Sequence, residues 1–197
     1  MALLILRWLA FLASLSLILV YFKGGTLFVK DIKRSIKASG GYAYLVFAVV
    51  MGLAAMVILA SQILICLGIS KTVSCPGKFI AALGAVAAIA AILAAYRVKY
   101  HYLGRFWSGN VEIKKKHKII DYGPYAWVRH PLYSLTLFIY PGTALAFSVW
   151  WVWAACAIMT LGYVLLTEYE DRYLAKKLPG YKQYQKRTQH KLIPGVW

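Results

Sequence analysis

The stretch YGPYAWVRHPLY, residues 122–133, sets Arg129, His130 and the tyrosines Tyr125 and Tyr133 against a run, residues 132–167, without one charged side chain. Gly123-Pro124 signals a turn. Pro131 fixes its own φ and pushes His130 out of helical geometry, so a helix starts there with proline in its first turn. A helix start exposes unpaired N–H groups and a partial positive charge. The carboxylate of a small molecule can bind at such a place, and Arg129 and His130 add donors. A second polar stretch, TEYEDRYLAKKLPGYKQYQKRTQHKLIP at 167–194, holds Glu168, Glu170 and Asp171, half of the six acids in the chain. Acids at the end of a membrane helix cost free energy unless paired or solvated, and often mark function. A carboxylate there can hold a ligand's ammonium group. Each residue also has a structural reading. Arg129 can meet lipid headgroups, His130 can bond a helix start, the tyrosines can anchor at the interface, and the acids can pair with Arg129, Arg172 or nearby lysines.

The elements that must carry these residues follow from hydrophobicity. The chain has 197 residues, 61% hydrophobic, with a mean hydropathy of +0.64; a soluble domain is closer to half apolar. Apolar runs at 3–22, 44–69 and 79–96 suit membrane helices of about 20 residues. The first is an uncleaved anchor rather than a signal peptide, and Arg7 near its end can extend to the aqueous edge. Gly84 and Ala88, four apart, allow close helix packing in lipid. As a single helix, 132–167 would reach about 50 Å, whereas the hydrocarbon is about 30 Å thick. Two short helices fit, with a turn near Ser148, a cluster of Trp150, Trp151 and Trp153 at the interface, and a kink at Pro141. The expected fold is therefore all-α and polytopic, with about five transmembrane helices: three in residues 1–100, and a hairpin with its polar segments in residues 101–197.

The net charge of +17 comes from 23 Lys and Arg against six acids. The basic residues lie between the apolar runs, so they face anionic lipid rather than nucleic acid. The run Lys114-Lys115-Lys116 is read as a solvated, membrane-facing patch. Loops alternate between strongly and weakly basic. The positive-inside bias then places the N-terminus outside and both polar segments together on the cytoplasmic side. Cys66, Cys75 and Cys156 show no metal spacing, and no structural metal is expected. Two polar segments on one membrane face can build one site for a zwitterionic, amino-acid-like cofactor and a lipophilic substrate. Spacing alone names no reaction.

LGRFWS at 103–108, HKII at 117–120, GPYAWVRHPLY at 123–133, the acid pair Glu170-Asp171, YKQY at 181–184 and LIP at 192–194 occur in an order that resembles one family. These are the integral membrane methyltransferases of the isoprenylcysteine carboxyl methyltransferase type, related to membrane phospholipid N-methyltransferases. The resemblance covers residues 103–194. It implies S-adenosylmethionine as methyl donor, in a cytosol-facing pocket under a lid formed by the C-terminal tail. It implies that His117, Lys118, Ile119, Ile120, Gly123 and Tyr125 hold this cofactor, that His130, Pro131, Leu132 and Tyr133 line it, and that Glu170 takes its amino group beside Asp171. Asn110 stands where the family can offer a polar cofactor contact. Arg129 and Glu170 carry the catalytic roles, Arg129 supporting the cofactor or a substrate carboxylate.

The chain departs from the family at three places. Asp171 replaces the second glutamate of the usual pair, the turn KKLPGY is one residue short, and Leu166 stands where prenylcysteine enzymes carry an arginine. The expected reaction is methylation of a lipid, prenylated or other lipophilic small-molecule acceptor. Carboxyl O-methylation leads and lipid amine N-methylation is the alternative; the latter needs a base, for which Glu168 or His130 is available. A nicotinamide-dependent membrane reductase and a non-enzymatic scaffold are the remaining readings. The membrane is a prokaryotic inner membrane or the endoplasmic reticulum.

Overall fold

The computed structural model describes residues 1–23, 42–72, 77–107, 111, 113–115 and 117–197. Asn110, Lys116 and Cys75 lie outside the described residues. The long helices are α1 (Ala2–Lys23), α2 (Tyr42–Cys66), α3 (Lys78–Arg97), α4 (Pro131–Phe147) and α5 (Trp150–Lys177); a short α6 (Tyr181–Arg187) follows. A π-helical turn, Val98–Leu103, and a 3₁₀ turn, Gly104–Phe106, continue α3. Four segments are long and apolar enough to cross a membrane, and α4 adds a shorter apolar helix. The chain is an all-α polytopic membrane protein.

The helices reverse the arrangement of a soluble bundle. On α3 the buried positions are Ala81, Gly84, Ala85, Ala88, Ala91, Ile92 and Ala95. Its exposed positions include Phe79, Leu83, Val86 and Leu93. Small residues face neighbouring helices and large apolar ones face outward, as expected where lipid surrounds the protein and close backbone approach drives association. The approach is closest between α3 and α4. A Cβ on Gly84 would lie 2.7 Å from the Gly142 carbonyl oxygen, and one on Gly142 would lie 2.7 Å from that of Gly84. The Gly84 and Ala88 spacing is thus a packing feature, with Ala88 also against Gly142.

The apolar run divides where expected. Ser148 ends α4 in a left-handed conformation at φ 34°, and its hydroxyl donates to the Leu145 carbonyl at 2.6 Å. Val149 is extended, and α5 begins at Trp150. Pro141 lies inside α4. Arg7 is turned inward instead of reaching for water. Its Nε donates to the Ala146 carbonyl at 2.8 Å, one of the last α4 carbonyls, which lack helical partners.

The 28 residues of α5 reach about 42 Å, beyond the hydrocarbon thickness. Its first part is uncharged through Thr167, so the excess length lifts Glu168, Glu170 and Asp171 out of the apolar zone. The same end of the bundle holds the end of α3 and the start of α4, and there the site assembles.

Candidate active site

Glu170 and Asp171 are adjacent on α5 and so point about 100° apart. Their surroundings differ accordingly. Asp171 faces inward beside Thr167, one turn earlier, and both are buried. Its Oδ1 accepts from Arg129 Nε at 2.8 Å, His130 Nε2 at 3.1 Å and the Tyr181 hydroxyl at 3.0 Å. Its Oδ2 accepts from Arg129 Nη2 at 2.9 Å and Gln185 Nε2 at 3.0 Å. A carboxylate so deep is tolerated only when paired and fully bonded.

Arg129 is equally committed. Besides its two-point grip on Asp171, its Nη1 donates to the carbonyls of Thr188 and Gln189, each at 2.7 Å. Four of its five N–H groups are thus used inside the protein. The backbone repeats the fastening: Arg129 N donates to the His190 carbonyl at 2.9 Å, and His130 N to that of Lys191 at 3.0 Å. Ser134 Oγ donates to the Leu192 carbonyl at 2.6 Å. The RHP segment is therefore a clamp that fixes the C-terminal tail across the start of α4.

His130 precedes Pro131, the first residue of α4, with φ −126° and ψ 61°, outside the helical region as proline requires. Its ring stacks on Tyr133 at 5.8 Å and 6°, and Tyr133 meets Tyr163 at 5.5 Å. Leu132 is half-buried on the same first turn. Tyr125 sits in the 3₁₀ turn Gly123–Ala126 and is buried. Its carbonyl accepts the Tyr184 hydroxyl at 2.7 Å. Gly123 has φ +60° and no room for a side chain, since a Cβ would stand 2.2 Å from Tyr102 Cε1.

Glu170 is half-buried, and its carboxylate makes no hydrogen bond or ion pair among the described residues. It acts through space on His117, Tyr125 and Tyr181. Burial, then Glu170, then Tyr184 hold the Tyr125 hydroxyl well above the ordinary tyrosine value. Burial, then Asp171, raise that of Tyr181. Both remain neutral donors at any physiological pH. His117 is pushed below the ordinary histidine value by burial and then by Lys114, with Glu170 opposing. It is neutral near pH 7. Its ring stacks on Phe106 at 5.1 Å. Ile119 packs against the tail cluster of Leu178, Tyr181 and Tyr184. Ile120 is half-buried, and Lys118 is exposed.

The structure thus brings His117, Tyr125, Arg129, His130, Tyr133, Glu170 and Asp171 to one end of the bundle. The sequence reading did not assign roles to Tyr181, Tyr184 and Gln185. Their signal was present, because Tyr181 and Gln185 are four apart on α6 and share the face that meets Asp171. Glu168 sits aside, bound by Arg172 Nε at 2.6 Å and by Lys191. Beside the site a groove of about 630 Å³ is lined by Tyr102, Trp127, Val128, Leu137, Phe138 and Ile193, among others. No group of His, Cys, Asp and Glu able to hold a metal occurs among the described residues.

Fold and site together define a membrane-embedded helical protein whose polar side chains gather at one end of the bundle, where the RHP segment fastens the C-terminal tail. Residues 82–176 match the family model described as Isoprenylcysteine carboxyl methyltransferase (ICMT) family, and over this stretch the chain is ICMT-like, in agreement with the resemblance of its motifs. The matched stretch contains most of α3, the RHP clamp, α4 and nearly all of α5. The Cobalt-zinc-cadmium resistance protein CzcN of Cupriavidus metallidurans is 32% identical over 92 residues, which cover 44% of this chain and 41% of that protein. The chain therefore spans less than half the length of this relative. No solved structure matches.

Proposed function

We propose that this protein is an integral membrane methyltransferase that takes the methyl group of S-adenosylmethionine and places it on a lipophilic acceptor. The observation that carries the reading is Glu170. Of the acids among the described residues, Asp121 pairs with Arg187, Glu168 with Arg172 and Lys191, and Asp171 with Arg129. Glu170 alone keeps its carboxylate for another cation. It faces two neutral tyrosine donors and a neutral histidine, a surrounding that fits an α-ammonium group. The helix start at Pro131 fits the α-carboxylate. When bound, the sulfonium cofactor supplies an activated methyl group for in-line displacement.

The chain's own residues then bind, align and exclude water. Glu170 and Tyr125 hold the polar end, with His117, Ile119 and Ile120 along one wall and the His130–Tyr133 stack along another. Arg129 and Asp171 act one step removed, by fastening the tail that covers the chamber. Alignment of the reactants is worth roughly 7–11 kcal/mol in such transfers. The groove lined by Trp127 and Phe138 suits the hydrocarbon part of the acceptor, because α4 carries it to the lipid boundary.

Carboxyl O-methylation of the isoprenylcysteine type is the leading reaction. Lipid amine N-methylation is favoured by one specific observation: Arg129 spends its donors on Asp171 and on tail carbonyls, which leaves an acceptor carboxylate to find another partner. A base-labile methyl product supports the first, and a base-stable one the second. The active site and C-terminus face the cytoplasm in this reading, which the alternation of strongly and weakly basic loops supports.

The test is calorimetric titration of S-adenosylmethionine into the detergent-purified protein and its Glu170→Gln variant. Saturable binding that weakens at least tenfold, about 1.4 kcal/mol, is expected. A folded, monodisperse wild type that binds nothing overturns the reading.

A further inference from the structure

Between α3 and α4 lies a set of basic side chains that the chamber around Glu170 does not use. Arg105, Lys114 and Lys115, with Phe106, line a concavity of about 470 Å³. It sits where the apolar span Lys78–Phe106 ends, the depth at which lipid headgroups begin. Lys114 is fixed in place, its Nζ donating to the Arg105 carbonyl at 3.0 Å and to that of Trp107. The guanidinium of Arg105 lies 4.9 Å from the centre of the Phe106 ring. Arg105 and Lys115 are exposed. No acid among the described residues pairs with any of the three. Three like charges gathered in one hollow repel one another, and an anion between them relieves that repulsion.

We propose that this hollow is a binding site for the phosphate headgroup of an anionic phospholipid. Arg105 and Lys115 close on the phosphate oxygens from two sides, and Lys114 supplies a fixed donor beneath. Phe106 meets the apolar part of the same lipid. Charge complementarity, and continuity with the bilayer-facing surface of α3, select a lipid rather than a soluble partner.

The hollow also adjoins the chamber. Phe106 stacks on the His117 ring at 17°, and Lys114 N donates to His117 Nδ1 at 3.4 Å. A lipid seated on Phe106 and Lys114 therefore steadies His117, and the enzyme becomes responsive to the anionic content of its membrane. This last consequence rests on the proposed function; the lipid site itself does not.

The test uses the full chain in bilayer discs containing spin-labelled phosphatidylglycerol or spin-labelled phosphatidylcholine, and reads the motionally restricted fraction of each. Restriction of phosphatidylglycerol above phosphatidylcholine is expected. It should fall several-fold in the double variant Arg105→Gln, Lys115→Gln, return in Arg105→Lys, Lys115→Arg, and persist in Lys182→Gln, Lys186→Gln. Thermal unfolding of each variant shows that the fold is intact. Equal restriction of the two lipids overturns the site. So does equal loss in the two glutamine variants, which means diffuse attraction, or displacement of the lipid by millimolar inorganic phosphate, which means a soluble-anion site. S-adenosylmethionine titration of the same samples reports separately on the methyltransferase reading.

Discussion

At the scale of single residues, two neighbouring acids divide structure from binding. Replacing Asp171 with alanine leaves the Arg129 guanidinium buried beside its tail carbonyls with no counter-charge. Breaking such a pair costs about 3–5 kcal/mol, so the variant should unfold at lower temperature and its tail after Gly180 should become open to protease. Glu170→Gln removes no ion pair seen among the described residues and should leave the unfolding temperature near the wild type while donor binding is lost. The contrast separates the two roles. His117 gives a pH signature. Burial and Lys114 favour its neutral form, so the unfolded chain takes up a proton first as pH falls below about 6.5. Stability that is fully present above that value is lost on acidification, and a protonated His117 also opposes an ammonium group at Glu170. Affinity for the donor should therefore be steady near neutral pH and fall on acidification below the ordinary histidine value of about 6.5; in His117→Gln this fall should be smaller, as calorimetry at each pH would show. Sequence reading brought these residues into view as motifs. It could not tell that Asp171 would turn inward and Glu170 aside, because that depends on where α6 and the tail return in space.

At the scale of elements, α3 and α4 are joined by contact of backbone with backbone. The two glycines meet so closely that any side chain must push the helices apart, and overpacking of this kind costs about 1–3 kcal/mol. Gly142→Val should lower the unfolding temperature in detergent and shift α4, which carries His130 and Tyr133 at its start, so donor affinity should fall with stability. A half-buried counterpart with free space beside it, Gly52→Ala on α2, where a Cβ meets nothing within 4 Å, should be neutral or slightly stabilising. The helices were legible in the sequence because membrane thickness fixes their length. The split of residues 132–167 followed from that length alone. Less legible was the continuation of α3 through a π turn to Phe106, which places Lys99 over the Trp107 ring at 3.2 Å. No hydrophobic period marks such a turn, and its basic side chains read as ordinary loop. The inward turn of Arg7 was hidden for a similar reason, since its partner is a carbonyl 139 positions away.

At the scale of the whole molecule, the bundle has two unlike ends. One end carries the Ser148 turn, the tryptophans at the start of α5 and few charges. The other carries the clamp, the polar cluster around Glu170 and Asp171, and the basic hollow. We propose from this asymmetry, by the positive-inside bias, that the charged end faces the cytoplasm. It also suits the proposed chemistry, in which a nucleoside-derived methyl donor comes from the aqueous phase and a lipophilic acceptor from the bilayer. The orientation can be read with single cysteines introduced into a chain whose Cys66, Cys75 and Cys156 are serine. Lys71→Cys lies just past α2 at the Ser148 end, and Lys118→Cys lies exposed at the opposite, charged end. In sealed, right-side-out membranes an impermeant maleimide should label position 71 directly and position 118 only after permeabilisation. The reverse pattern would put the chamber outside, away from any cytoplasmic methyl donor, and would remove the proposed function together with the orientation. Labelling of both positions from one side would instead mean that α3 does not cross, which the length and apolarity of Lys78–Phe106 oppose.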